Sequence, residues 1–259
     1  MQVVIWCGGK GTRLYEMTEF IPKPLVPIGN RPVLWHIMKI YSHFGFNEFI
    51  LCLGYKGEMI KDYFLNYPIK VSDFTTTLHL KEPLKFHSNS LEDWRLTFVD
   101  TGIETLTGGR LLKIKNFLKN EKTFMATYSD GLADIDINNL LEFHKKMGKI
   151  VTITGGHPYS KYGLLEITSD NIVLSLKQKP KIGEFTNIGF MVFETEVFEY
   201  IKTDTTIEEV LMGLIKDEQV VMYKHENFFH PMDTYKDYED LNSMWNSGAA
   251  TWKIWENKE

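Results

Sequence analysis

The chain has 259 residues, with 29 Lys and Arg against 34 Asp and Glu for a net charge of −5, 43% hydrophobic residues and two cysteines. That length suits one large domain with a full buried core, and Cys7 and Cys52 are too few for a disulfide-stapled scaffold, which favours a reducing, cytoplasmic setting. No apolar run reaches the roughly 18–20 residues of a membrane span, the N-terminus lacks the pattern of a signal peptide, and a mildly acidic chain without a Lys/Arg block argues against a nucleic-acid partner while leaving room for a local basic pocket.

Val3, Val4 and Ile5 form a short apolar run that stops at Gly8-Gly9, which predicts a strand buried on both faces of a parallel sheet. Residues 31–46 place Val33, Leu34, Ile37, Met38 and Tyr41 at helical spacing, and 48–53 follow as a strand. A helix over 57–67, a strand over 97–99, a helix over 111–118 and a strongly apolar strand over 123–128 continue the alternation, which ends at Ser129-Asp130-Gly131. Such alternation predicts an α/β fold with a doubly wound, mostly parallel, Rossmann-like sheet. Ligands in these sheets bind beyond the carboxyl ends of the strands, where Gly8 and Asp130 fall. The segment 68–93 is polar, weakly periodic and broken by Pro83, so it reads as a long functional, mobile or oligomer-contacting excursion, unless 75–80 adds a strand. From 151 the pattern turns β-rich, at 151–154, 164–168, 172–176 and 190–193, and predicts a sheet extension. Helices over 196–201 and 207–216, a strand over 220–223 and a C-terminal helix over 235–245 complete the chain. His36, on an apolar helix, reads as a core histidine, and Trp94, Trp245, Trp252 and Trp255 as residues that dock onto the domain or a neighbouring subunit.

The stretch Gly8-Gly9-Lys10-Gly11-Thr12-Arg13-Leu14 carries the most chemistry. Glycines directly after a buried strand let the backbone turn sharply and bring its N–H groups close to phosphate oxygens. Lys10, Arg13 and, further on, Lys23 between Pro22 and Pro24 add cations suited to a triphosphate. The spacing is neither that of a Walker A loop nor that of the dinucleotide fingerprint, and a glycine turn with solvated basic residues remains open on these residues alone. Asp130 follows a strand and precedes a glycine, which suits either a turn or a magnesium ligand, since Mg²⁺ prefers one or two carboxylates plus phosphate oxygens and waters. Cys7 lies beside the loop and reads as a small packing residue with a possible reactive role.

The glycine stretch together with Pro22-Lys23-Pro24 resembles the signature of the sugar-phosphate nucleotidyltransferases. Pro32 to Lys39, Gly54 to Gly57, Val99 to Gly102, Thr107-Gly-Gly-Arg-Leu111, Ala133 to Asp136 and Pro231-Met-Asp-Thr234 extend the likeness, in the same order, to the family's glucose-1-phosphate cytidylyltransferase branch. The resemblance implies attack of a phosphomonoester oxygen on the α-phosphorus of CTP, with pyrophosphate leaving and Mg²⁺ as cofactor. Catalysis would rest on Arg13, Lys23 and Asp130, and the metal on Asp130 and Asp233. The nucleotide would meet Cys7, Gly8, Gly9, Gly11, Thr12, Arg13, Lys23, Thr107, Gly108, Arg110 and Ser129, with cytosine read by backbone groups near Gly108 and by Arg110. On its own Arg110 could equally be a helix-start residue paired with an acid. The implied acceptor site comprises Gly163, Gln178, Lys179, Asn187 and Ile188, with Lys179 on the acceptor phosphate. A single domain is expected, with 1–150 as the nucleotide-binding core and 151–259 building the acceptor site and the contacts of a homo-oligomer.

The departures from the family pattern fall mostly near that acceptor site. Cys7 stands in place of the usual alanine, Ser129 in place of glycine, Gln178 in place of glutamate, and Ile188 in place of glycine. Glutamine is a weaker acceptor than a carboxylate, and isoleucine adds bulk where a sugar ring would rest. Glucose 1-phosphate, another sugar 1-phosphate and a smaller phosphorylated or phosphoramidate acceptor such as a phosphorylated amino acid all stay open. So do UTP or dTTP in place of CTP, and a binding module without catalysis.

Overall fold

A computed structural model of the chain describes residues 1–78, 84–87, 91–118, 121–160, 162–178, 180–181 and 183–256. Its frame is a seven-stranded sheet of β1 (Gln2–Trp6), β2 (Glu48–Leu53), β3 (Arg95–Asp100), β4 (Thr123–Tyr128), β5 (Val151–Gly156), β6 (Thr186–Glu194) and β7 (Val220–His225), in the spatial order β7-β5-β6-β4-β1-β2-β3. The strands run parallel except β6, which is antiparallel to both β4 and β5. Chain order moves outward from β1 through β2 to β3 and then returns to β4 on the other side of β1. The carboxyl ends of β1 and β4 therefore flank a switch point, the crevice where such sheets bind ligands.

Alternation along β1 explains its continuous apolar run. Val3 and Ile5 face a core built with α1 (Val33–His43), α2 (Gly57–Leu65) and a helix at Ile137–Met147, while Val4 and Trp6 face a second core built with helices at Thr107–Ile114 and Ile207–Lys216. The two latter helices are α3 (Thr107–Ile114) and α5 (Ile207–Lys216), the helix between them is α4 (Ile137–Met147), and α6 is the C-terminal Tyr235–Ser247.

Several sequence expectations shift. The β-rich second half does extend the sheet, with β6, β5 and β7 continuing it outward from β4. β6 inserts between β4 and β5, so strands from both halves of the chain share one sheet. The expected helix over 196–201 is a 3₁₀ turn, Thr195–Glu199. The excursion after residue 66 holds a short helix, Tyr67–Val71, and a small hairpin of Phe74–Thr75 with Lys85–Phe86, while part of the possible strand 75–80 lies outside the described residues. Leu164–Ile167 and Val173–Lys177 form a second hairpin with one polar edge, Glu166–Ser175–Lys177, and with Leu165 opposite Leu176 in exposed positions.

His36 is fully buried against Trp245 and Trp252, as its apolar helix implies. Nε2–H donates to the Ile28 carbonyl at 3.0 Å and Nδ1 accepts from the Trp252 indole at 3.5 Å, an arrangement that needs the neutral ring. Burial lowers its pKa to about 4. The unfolded chain therefore binds the extra proton first, and this contribution to stability is complete above pH 6.5 and is lost as pH falls toward 4. At about 1.4 kcal/mol per pH unit the loss reaches about 3 kcal/mol. Urea unfolding of the wild type should weaken between pH 7 and 4.5 by about 2–3 kcal/mol more than that of His36→Gln; parallel pH profiles would refute the assignment.

Candidate active site

The loop that follows β1 needs its glycines for different reasons. Gly11 has φ +65°, in the left-handed region, where a side chain is strained. At Gly8 a Cβ would sit 2.0 Å from an Arg110 guanidinium nitrogen, so the loop crosses directly over that side chain. Gly9 opens to solvent, and a Cβ there would meet nothing within 4 Å.

Arg110 is 4% exposed and donates to the carbonyls of Leu53, Ile103 and Gly8 at 2.9, 3.2 and 3.3 Å, and to the Thr101 hydroxyl. It thereby ties the glycine loop to the ends of β2 and β3. The partners are neutral oxygens rather than the acid of the ion-pair reading, and most of the guanidinium donors are already committed. The glycines beside it are likewise engaged. Gly108 N–H and Gly109 N–H donate to the Thr205 carbonyl at 2.9 and 3.2 Å, and Cβ atoms there would collide with the Asp204–Thr206 segment that caps α5. Gly108 is buried in this helix contact and is not among the cleft-lining residues, so its amide does not face a base in this arrangement.

The carboxylates are brought together by a short ladder. Gly131–Ala133, directly after Asp130, pairs antiparallel with Phe229–Pro231, and Met232 N–H donates to the Asp130 carbonyl at 2.8 Å. The fully buried Met232 anchors the crossing. Asp233 then stands just before Thr234, the N-cap of α6, and the Asp237 carboxylate accepts from the backbone N–H groups of both Asp233 and Thr234. This is a capping box fixing the backbone from which Asp233 projects.

Between the two aspartates lies Lys23, on a 3₁₀ turn that begins after Pro22 and contains Pro24. Its Nζ is 2.5 Å from Asp130 Oδ2 and 2.8 Å from Asp233 Oδ1, and Arg13 reaches the other Asp233 oxygen at 2.8 Å. Burial pushes the Lys23 pKa down, but the Asp130 and Asp233 carboxylates outweigh it and hold the ammonium above its ordinary value.

Arg13, Lys23 and Asp130 line a cleft of ≈ 580 Å³, within the usual range for small-ligand sites, while Asp233, paired with Lys23 and Arg13, is not among its lining residues. Gly8, Gly9, Gly11, Thr12, Arg13, Lys23, Thr107, Arg110, Ser129 and Asp130 line it as expected. Trp6, Glu104, Tyr128 and Glu208 also line it and were missed. The Trp6 and Tyr128 rings meet at a tilt of 36°, 5.1 Å between centroids, Trp6 donates to the Thr107 carbonyl, and Tyr128 donates to Glu208 at the start of α5. Trp6 was open to discovery, since it ends the strand that feeds the loop. Glu208 was not, because only the packing of α5 against α3 brings it there.

Cys7, like Gly108 and Asp233, does not line the cleft, and Ile188 is buried in the core. Cys7 is 1% exposed, packs in the core, and has its thiol pKa pushed well up by burial and by Cys52, so it is an unreactive packing residue. Ile188 is 3% exposed, and its side chain packs against Gly156, where a Cβ would come within 2.9 Å of it. The core absorbs its bulk. Asn187 accepts from the Gly189 N–H and occupies the β6 end nearest Gly131, while Gln178 and Gly163 lie together at the base of the exposed hairpin. Lys179 lies outside the described residues.

The pattern of the nucleotidyl transferase family matches residues 2–252. The chain belongs to the nucleotidyl transferase family. Over 258 residues it is 43% identical to a probable glucose-1-phosphate cytidylyltransferase of Bacillus subtilis, covering 98% of this chain and 100% of that one. The glucose-1-phosphate cytidylyltransferase of Salmonella typhimurium is also 43% identical, over 260 residues covering 99% and 100% of the two chains. The crystal structure of HddC from Yersinia pseudotuberculosis shares the fold, with a TM-score of 0.69 at 22% identity over 94% of this chain and 99% of that one. For this nucleotidyltransferase, a two-carboxylate donor set beside a phosphate-binding loop fits Mg²⁺, which takes few protein oxygens when phosphates supply the rest. No described residues form a larger cluster of His, Cys, Asp and Glu suited to another metal. No helix among the described residues is long and apolar enough to cross a membrane.

Proposed function

We propose that this nucleotidyltransferase transfers CMP from CTP to glucose 1-phosphate and releases pyrophosphate. The observation that carries the proposal is the Lys23–Asp130–Asp233 cluster facing a glycine loop at the switch point of the sheet. The acceptor and base follow the 43% identical relatives. An acceptor phosphate oxygen attacks the α-phosphorus, the α–β bridging bond breaks, and the electron pair leaves with pyrophosphate. No protein nucleophile is needed, so the protein contributes alignment and charge neutralisation. Asp130 and Asp233 would hold the Mg²⁺, whose chemistry when bound is to neutralise charge on the phosphates. Arg13, 70% exposed, would exchange its pair with Asp233 for the leaving pyrophosphate, and Lys23 would face the reacting phosphates. Trp6 and Tyr128 give the cleft an aromatic side against which the nucleoside would rest.

The burial of Ile188 supports glucose 1-phosphate over a smaller acceptor, because the bulk that questioned the sugar site is taken up by packing against Gly156. Gln178 keeps a hydrogen-bonding group where the family pattern has a carboxylate. The test is pyrophosphate release with CTP, UTP and dTTP against a panel of sugar 1-phosphates and phosphorylated amino acids. The expected result is preference for CTP with glucose 1-phosphate. Faster turnover of a phosphorylated amino acid, or indifference to the base, would overturn the substrate assignment. The proposal includes a homo-oligomer using the exposed apolar face of the Leu164–Ile167 and Val173–Lys177 hairpin, which light scattering at a single-chain mass would contradict.

A further inference from the structure

The position between Asp130 and Asp233 is taken by a side chain of the chain itself. Lys23 Nζ touches one oxygen of each carboxylate, at 2.5 and 2.8 Å, and its side chain is only 11% exposed. Arg13 engages the remaining oxygen of Asp233 at 2.8 Å. Two carboxylates drawn this close repel each other unless a cation lies between them, and partial burial strengthens that repulsion. An ammonium and a divalent cation cannot share the same two oxygens, because their own like charges would then be in contact.

Lys23 also has little freedom to leave. Pro22 fixes the backbone before it, at φ −66°, and Pro24 follows. Withdrawal of the ammonium from the carboxylates needs another anion within reach of the same side chain. The cleft that Lys23 lines also contains the glycine loop, so a bound triphosphate would supply that anion. The other cations of the cleft are paired in a similar way: Lys10 with Glu104 at 2.6 Å, Arg13 with Asp233 and Arg110 with backbone carbonyls. The cleft becomes strongly cationic only as these pairs are exchanged for phosphate.

We propose that Lys23 is an internal counter-ion that bars free divalent metal from Asp130 and Asp233, and that a triphosphate admits the metal by drawing the Lys23 ammonium onto its own oxygens. The proposal rests on the reading of Asp130 and Asp233 as the metal pair. Metal and nucleotide then bind as coupled partners, each raising the other's affinity by the same factor.

The test is a titration of the full chain with Mn²⁺ alone, without nucleotide, following free Mn²⁺ by electron paramagnetic resonance. Lys23→Met should bind Mn²⁺ about tenfold or more tightly than the wild type, a gain within the usual range for coupled sites. Lys23→Arg, which keeps the charge, should bind as weakly as the wild type. Lys23→Gln repeats the test with a neutral donor should Lys23→Met not fold. Equal Mn²⁺ affinity of wild type and neutral variant would overturn the counter-ion role. Adding Asp130→Asn to the neutral variant should erase the gain, and a gain that survives it would instead overturn the metal-pair reading.

Discussion

Asp130→Asn should lower pyrophosphate release by about 10²–10³-fold or more, the scale on which removal of one charge-stabilising group acts in a dry site. The substitution keeps the shape of the side chain and removes its charge. It should leave the fold nearly untouched, for structural reasons. The Asp130 carbonyl still accepts from Met232 N–H, so the ladder that carries Asp233 is preserved. Lys23 still pairs with Asp233, so no buried ammonium is left without a partner. A thermal melt within a few degrees of wild type, measured beside the turnover assay, separates loss of chemistry from loss of folding. Near-normal turnover would remove Asp130 from the mechanism.

Gly8→Ala is the second large effect, and it acts through packing. The new Cβ would lie 2.0 Å from Arg110 Nη1 and 2.2 Å from Cζ, closer than any real contact. Arg110 cannot simply yield, because its donors hold four separate backbone or hydroxyl oxygens. Overpacking together with a displaced charge-assisted hydrogen bond should cost about 3 kcal/mol, with a large rise in KM for the nucleotide as the loop is pushed into the cleft. Gly9→Ala is the control, since its Cβ meets nothing within 4 Å. In an Arg110→Ala background Gly8→Ala should cost under about 1 kcal/mol, because neighbours in contact are not additive. Full additivity between the two sites would show that the loop does not rest on Arg110.

The parts of the fold legible in the sequence were those with a strong local pattern. β1, β2 and β4 announce themselves as apolar runs buried on both faces, and α5 has matching periodicity with a capping box, Thr206 and Glu209, at its start. Strand order was not legible. Nothing local in residues 186–194 says that this strand runs antiparallel between β4 and β5, because that placement is decided by the cores on either face. The same limit shaped the site. Asp130 and Asp233 could be paired from the resemblance, and the ladder between Gly131–Ala133 and Phe229–Pro231 supplies the physical reason. The packing need of the Thr107-Gly-Gly-Arg110 glycines was not legible, because their Cβ space is filled by the Asp204–Thr206 segment, far along the chain. The packing of Ile188 was out of reach for a related reason: its partner, Gly156, sits on the neighbouring strand β5.

The central claim is nucleotidyl transfer through attack at the α-phosphorus, and positional labelling tests it most directly. With Mg²⁺, glucose 1-phosphate and CTP labelled at the α-phosphorus, the label should appear in a CDP-linked sugar, while label at the γ-phosphorus should appear only in pyrophosphate. Transfer of the γ-label to the acceptor, or binding of CTP with no label moving to either product, would contradict the account.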